Sequence, residues 1–358
     1  MTSSPPQQDI KNFDRDQLVR YLDDQGIRSF RAAQILKWIY IRQVDTFDEM
    51  TDLKRDTRSS LDAAFTIERL KNKAVETSSD GTRKYLFELS DGNHIESVLI
   101  PEKNHYTLCI SSQVGCALGC RFCRTARIGR VRDLTRGEIV AQVRDITRDL
   151  GEGMRLTNIV FMGMGEPLAN YDNVVSAIHT FVDNESGMRL SARKITVSTA
   201  GLVPEIVKLG NDTTVNLAVS LNAADNRIRD KLMPINRKYP LEQLIDACRR
   251  YPLPKGRRIT FEYILIKDIN DSLADAGKLV KLLRPVKAKV NLIPFNAHDK
   301  TAFARPSEGR IDAFFQYLLD HNYTAIIRRS KGQDISAACG QLAAGAGSVY
   351  EAEGKRVG

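Results

Sequence analysis

The chain has little that would send it to a membrane or out of a cell. No stretch approaches the roughly eighteen consecutive apolar residues of a spanning helix, so neither a transmembrane segment nor a membrane partner is expected. The N-terminus, Met1-Thr-Ser-Ser-Pro-Pro-Gln-Gln, has no apolar core of the signal-peptide kind. A cytoplasmic protein is therefore expected, with its six cysteines reduced and free for metal or redox work. There is one tryptophan, Trp38, and its helical spacing with Ile35, Leu36 and Ile39 favours packing over base stacking. Zinc-finger spacing is missing, since only one C-x2-C occurs and no histidine follows it at finger distance. Gly163-Met-Gly165 lacks the third glycine of a dinucleotide fingerprint.

What is present is basic. The net charge is +9 and the pI about 9.2, a balance that suits a polyanionic partner. Arginines and lysines gather at 121–132, at 249–258 and at Arg328, Arg329 and Lys331. Their place beside candidate site segments favours contact with RNA.

Residues 1–12 are expected to be disordered. Three amphipathic helices follow in 13–67, an accessory domain. Residues 68–102 alternate in polarity around Asp91-Gly92, a β-hairpin signal. From 103 to 345 strand candidates (106–112, 157–163, 194–199, 214–221, 258–266, 288–295, 323–328) alternate with helix candidates (136–150, 171–183, 203–209, 240–250, 272–283, 308–321). Such alternation predicts an α/β fold with parallel strands, here a partial (β/α)6 TIM-like barrel with its site at the strands' C-terminal ends. The tail 346–358 is expected to be flexible.

The decisive motif is Cys116-x3-Cys120-x2-Cys123, after the first barrel strand. Three soft thiolates on one loop suit three irons of a 4Fe-4S cluster, leaving the fourth open, and Phe122 helps to keep water away. Gly163-Met-Gly165-Glu166-Pro167, Ser198-Thr-Ala-Gly201, Ser220-Leu221-Asn222 and Asn296 recur at successive strand ends, where small polar groups line a pocket. Cys248 shares a helical face with Leu241, Leu244 and Ile245, which marks core. By themselves Cys109 and Cys339 read as small buried hydrophobes, and Glu96 as either a buried base or a solvated carboxylate.

Together these segments resemble the radical S-adenosylmethionine (SAM) enzymes and, within them, the RlmN/Cfr class of RNA adenine methyltransferases. The similarity rests on Cys109-Ile-Ser-Ser-Gln-Val-Gly-Cys116, Gly163-Met-Gly-Glu-Pro-Leu, Ser220-Leu-Asn and Asp334-Ile-Ser-Ala-Ala-Cys-Gly-Gln-Leu, in that order. The resemblance implies that Cys116, Cys120 and Cys123 hold the cluster. It implies that Gly165, Glu166, Ser198, Ser220, Leu221, Asn222 and Asn296 bind SAM. Cys339 would be the methyl carrier, Cys109 the thiol that resolves its adduct through a transient disulfide, and Glu96 the proton acceptor. Two SAM molecules would serve each turnover.

The implied substrates are adenosine 2503 of 23S rRNA and adenosine 37 of some tRNAs, methylated at carbon 2. A flavodoxin-type electron donor and a monomeric state are expected. Methylation at carbon 8, as by Cfr-type enzymes, uses the same residues and stays open. A non-catalytic iron–sulfur RNA-binding protein would leave Cys109, Cys339 and Gly165-Glu166 without a purpose. A radical SAM enzyme acting on a protein or small molecule would not need the basic clusters.

Overall fold

The structure is a computed structural model, and it describes residues 7–150, 155–296 and 301–344. The expected tail 346–358 lies outside the described residues.

The N-terminal unit is closed by its own ends: β1 (Gln8–Asp9) pairs in parallel with β2 (Phe65–Thr66). Between them run α1 (Arg15–Asp24), α2 (Arg31–Tyr40) and α3 (Arg55–Ala64). Asp14 starts α1 by accepting from the Gln17 amide, while the Gln17 side chain takes the Asp14 N–H, a reciprocal cap. Residues 8–12 correct the expectation of disorder. Ile10 is fully buried, and Asn12 accepts from the Gly137 N–H at 2.8 Å. Polar composition hid this, because what orders the segment is the barrel helix it docks on. Trp38 is buried packing, as expected, with its indole N–H on Asp52 at 2.6 Å.

The extension is a three-stranded antiparallel meander rather than a hairpin: β3 (Lys71–Thr77), β4 (Arg83–Glu88) and β5 (His94–Pro101). The strand missed, β3, is an edge strand with Lys71, Lys73 and Glu76 along it. Charged edges of this kind block stray pairing and also erase the apolar alternation that a sequence reading looks for.

β5 pairs antiparallel with β6 (Tyr106–Cys109), which opens the barrel. Then come β7 (Gln113–Gly115), α4 (Arg124–Ile128) and β8 (Arg130–Asp133), framing the cysteine run, and α5 (Arg136–Arg148). The remaining strands are β9 (Leu156–Phe161), β10 (Ile195–Thr199), β11 (Asn216–Ser220), β12 (Ile259–Leu265), β13 (Ala288–Pro294) and β14 (Thr324–Ile327). Their helices are α6 (Tyr171–Val182), α7 (Val203–Asp212), α8 (Asn226–Leu232), α9 (Leu241–Arg250), α10 (Leu273–Leu283) and α11 (Glu308–Asp320). Within the barrel sheet, β6 and β9 through β14 pair in parallel, while β7 and β8 form a separate antiparallel pair.

The strand order ends at β14 on one side and β3 on the other, so the barrel is partial, as the alternation predicted. It is nonetheless curled. The Arg328 guanidinium, just past β14, lies 3.7 Å from the Met162 sulfur, just past β9. Five strand spacings of about 4.8 Å would separate those strands by roughly 24 Å in a flat sheet.

Helix α5 is buried along most of its length between the N-terminal unit and the sheet. Its Arg144, 1% exposed, pairs with Asp145 at 2.9 Å and Asp45 at 2.8 Å and donates to the carbonyls of Ile39 and Val44. With these four hydrogen bonds the guanidinium ties the N-terminal unit to the barrel.

Candidate active site

The cysteine run is shaped by glycine. Gly115 has φ +75°, and a Cβ there would meet the Gly129 carbonyl oxygen at 1.8 Å. That close approach lets the Cys116 N–H donate to the same carbonyl at 2.8 Å. Phe122 packs with Ala200, Leu232, Met233, Ile266 and Phe295, an apolar shell at the open end of the barrel.

Cys116, Cys120 and Cys123 line one cavity together with Gly165, Glu166, Ser198, Ser220 and Asn222. Burial pushes the Cys116 thiol up to about 12 and raises the other two as well. Metal coordination strips such protons. Among the described residues no three His, Cys, Asp or Glu side chains converge as ligands of a single ion. A cluster takes one thiolate per iron, and the three thiol residues line one cavity, so they fit it.

Gly163 and Gly165 bring backbone close to this cavity. A Cβ on Gly163 would meet the Ile110 backbone at 2.7 Å, and one on Gly165 (φ +101°) would meet Gln113 at 2.6 Å. Glu166 accepts from the N–H groups of Ala200 at 2.8 Å and Leu168 at 3.1 Å, and burial holds its carboxyl near about 7. Asn222 is left-handed (φ +58°) and lines the cavity.

Leu221 and Asn296, also expected at SAM, are not among the residues that line this cavity. Leu221 is fully buried, with its N–H on the Glu262 carbonyl at 2.9 Å. Asn296 bonds to Ser330 at 2.8 Å and so braces the segment that leads to Cys339.

Cys339 belongs to that segment, 332–344, which is stitched down on both sides. On the extension, Asp80 accepts from the Gly332 N–H at 2.9 Å, Asp334 takes the Ser78 hydroxyl at 2.5 Å, and the Lys84 ammonium donates to the Ile335 carbonyl at 2.7 Å. On the cysteine loop, the Arg124 N–H donates to Gly340 at 2.8 Å and the Thr125 hydroxyl to Leu342 at 2.7 Å. Glu96, 2% exposed, accepts from the Ala343 N–H at 2.8 Å, with Lys84 at 3.7 Å. Burial raises its carboxyl, and Lys84 opposes that rise. Glu96 therefore faces the Cys339 segment and lines neither of the two larger cavities described here.

Three spaces meet at Cys339. It lines the cluster cavity, a small space that it shares with Cys109, and a polar cavity of about 550 Å³ running down the barrel interior. Cys109 is 8% exposed, and burial pushes its thiol up to about 12. Cys248 is buried core, as expected.

Sequence reasoning missed Met162, Glu262 and Arg328, which stand with Cys339 between the cluster cavity and the polar cavity. A lone carboxylate in the buried strand Ile-Thr-Phe-Glu-Tyr-Ile-Leu was the available signal for Glu262. Arg328 was grouped with the cations expected to contact RNA and instead points inward, toward Met162. Arg257 and Arg258 precede β12, so they sit at the end of the barrel away from the cysteine loop, not beside it.

Residues 8–67 match the ribosomal RNA large subunit methyltransferase N-terminal domain, and residues 110–280 match the radical SAM superfamily. The chain is 56% identical over 344 residues to the dual-specificity RNA methyltransferase RlmN of Desulfosudis oleivorans, covering 96% of this chain and 93% of that one. It belongs to the RlmN family. Its relative of the same name in Geobacter sulfurreducens is 54% identical, over 93% of this chain and 91% of that one. The crystal structure of a radical SAM methyltransferase from Sphaerobacter thermophilus superposes with a TM-score of 0.89 at 45% identity, covering 94% and 99%. Membership brings the radical SAM cofactors with it, a 4Fe-4S cluster and SAM. Among the described residues no helix is long and apolar enough to cross a membrane.

Proposed function

We propose that this chain methylates carbon 2 of adenosine 2503 in 23S rRNA and of adenosine 37 in a subset of tRNAs, acting as a cytoplasmic monomer fed by a flavodoxin-type donor. The observation that carries this is Cys339. One thiol stands where a cofactor cavity meets a second, polar cavity, with a second thiol, Cys109, in the space beside it. A methyl group taken up on one side can be delivered on the other without crossing solvent.

Cys116, Cys120 and Cys123 would hold the cluster; bound there, cluster and SAM supply the methyl group and the one-electron chemistry that activates it. Gly163 and Gly165 let backbone approach the cofactor, Glu166, Ser198, Ser220 and Asn222 present polar groups to it, and Leu221 and Asn296 complete the set that the resemblance implies. Cys339 carries the methyl group on its sulfur and, after losing a hydrogen atom, bonds through that carbon to the adenine ring. The adduct then gives up its unpaired electron, for which the cluster would be the acceptor, and its ring proton to a base, the role the family resemblance gives to Glu96. The Cys109 thiolate then attacks the Cys339 sulfur. The sulfur–carbon bond breaks, its electron pair stays on the methylene carbon, and a proton completes the methyl group, leaving a Cys109–Cys339 disulfide. The helical unit 13–67 and the basic surface would hold the RNA.

The test is anaerobic turnover of reconstituted protein with SAM, a reductant and a 23S rRNA fragment, beside Cys339→Ala. Methyladenine substituted at carbon 2 from the wild type and none from the variant is the expected result. The 8-methyl isomer would transfer the protein to the Cfr-type reaction. Deoxyadenosine release with no methylated base would mean that the substrate is not this RNA.

A further inference from the structure

The polar cavity beneath Cys339 contains a carboxylate with an unused oxygen. Glu262 is on β12 and only 5% exposed. Its register partner on β13, Asn291, donates from its amide nitrogen to one carboxylate oxygen at 2.8 Å. The other oxygen, buried, meets no donor among the described residues. Leaving a buried carboxylate oxygen unpaired is costly, so its free side is an acceptor waiting for a ligand N–H or O–H.

The surroundings narrow the ligand. The cavity is lined with cations, among them Arg193, Lys194, Lys289 and Lys331, against Glu102 and Glu262. It extends from Cys339 to residues at the starts of β10 and β13, so Cys339 borders it at the end nearer the three cluster cysteines, and Arg193, Lys194 and Lys289 lie at the far end. A volume of about 550 Å³ is within the range of small-molecule sites. A ligand with anionic phosphate, a flat ring that must reach Cys339, and an N–H for a buried acceptor is a nucleotide whose base carries an exocyclic amine at that edge, adenine or cytosine, and the function proposed above makes it adenine. Guanine and uracil would turn a carbonyl oxygen toward Glu262 at the corresponding edge, and lone pair would face lone pair.

We infer that Glu262, held in place by Asn291, accepts a hydrogen bond from the exocyclic amine of the target adenine as that base lies in the cavity against Cys339. This rests on the function proposed above and assigns the residue that selects the base. A flipped base read on its edge by buried polar groups is a general device of enzymes that modify nucleobases. Sites built to bond a substrate N–H discriminate strongly against analogues that lack it.

The experiment offers two RNA hairpins that differ only at the target nucleotide, adenosine or purine riboside, the latter lacking only the amine. Wild-type protein is compared with Glu262→Ala, by kcat/KM for methylation and by direct binding of each hairpin. The wild type is expected to favour adenosine by about 10- to 100-fold, the range of one hydrogen bond to a charged group. Glu262→Ala is expected to lose that preference on both readouts. Equal use of the two hairpins by the wild type overturns the assignment without recourse to any variant. So does a Glu262→Ala protein that keeps the full preference. A wild type that releases deoxyadenosine yet methylates neither hairpin overturns the functional reading, and the assignment with it.

Discussion

Replacing Lys84 with methionine should free the segment that carries Cys339 while leaving the barrel folded. The Lys84 side chain is 5% exposed and its ammonium has three partners: the Ile335 carbonyl at 2.7 Å, Glu76 at 3.2 Å and Glu96 at 3.7 Å. Methionine keeps much of the stem's packing and removes the charge. The Ile335 carbonyl then loses its donor, worth about 1.5–3 kcal/mol for a charged hydrogen bond. Glu96 also loses the cation that opposes its desolvation, a change that for fully buried pairs costs about 3–5 kcal/mol. The remaining stitches, from Asp80, Asp334, Arg124 and Thr125, share the load. The local opening free energy should thus fall by about 2–3 kcal/mol, roughly 30- to 150-fold in the opening equilibrium. Hydrogen exchange followed by mass spectrometry reads this directly in peptides covering 333–343, and alkylation of Cys339 reads it a second way. Methyl transfer should fall while the visible absorbance of the reconstituted cluster persists. Exchange in 333–343 that stays within twofold of wild type would refute the reasoning, because the segment would then be held by something other than this ion network.

Other outcomes follow from the same geometry. Gly165→Ala puts a Cβ 2.6 Å from Gln113 at a φ of +101°, so thermal stability and SAM affinity should both fall, with about 1–3 kcal/mol of strain read by calorimetry. Arg144→Ala leaves Asp45 and Asp145 without their buried partner; limited proteolysis should release the N-terminal unit first, in keeping with about 3–5 kcal/mol for a broken buried pair. Cys248→Ala should cost about 1 kcal/mol of stability and leave methylation at the wild-type rate, since the thiol is core packing on α9. At Asp80 burial alone would raise the carboxyl, but hydrogen bonds from Thr82, Gly332 and Ser78 outweigh it and hold the group at about 2. A depressed carboxylate stabilises the fold above its ordinary value of 3.8 and loses that contribution as pH falls toward about 2. The Cys339 segment should therefore loosen through this window in the wild type, and Asp80→Asn should remove that dependence in an acid titration followed by exchange.

The barrel strands and most of its helices were legible because buried parallel strands are continuous apolar runs and their crossover helices keep a helical period. The cysteine run and Gly163-Met-Gly165 were legible because ligand chemistry and close backbone approach restrict residue type locally. What escaped depends on distant partners. Ile10 and Lys11 look like tail until α5 is there to receive them. The edge strand β3 has no apolar face to announce it. Glu96 gave no sign of whether it faced solvent or protein, and its answer lies 247 residues away at Ala343. Arg328 was read as one of a cluster of RNA-contacting cations because nothing in its neighbourhood along the chain shows that the sheet curls far enough to bring Met162 against it.

The central claim is that Cys339 delivers carbon to the base and Cys109 releases it. Cys109→Ala tests both halves in one tube. Incubated anaerobically with SAM, reductant and substrate RNA, this variant should stall with protein and RNA joined covalently. Peptide mapping should place the join at Cys339 through a one-carbon bridge to adenine. Free methyladenine formed at the wild-type rate, with no joined species, would contradict the account.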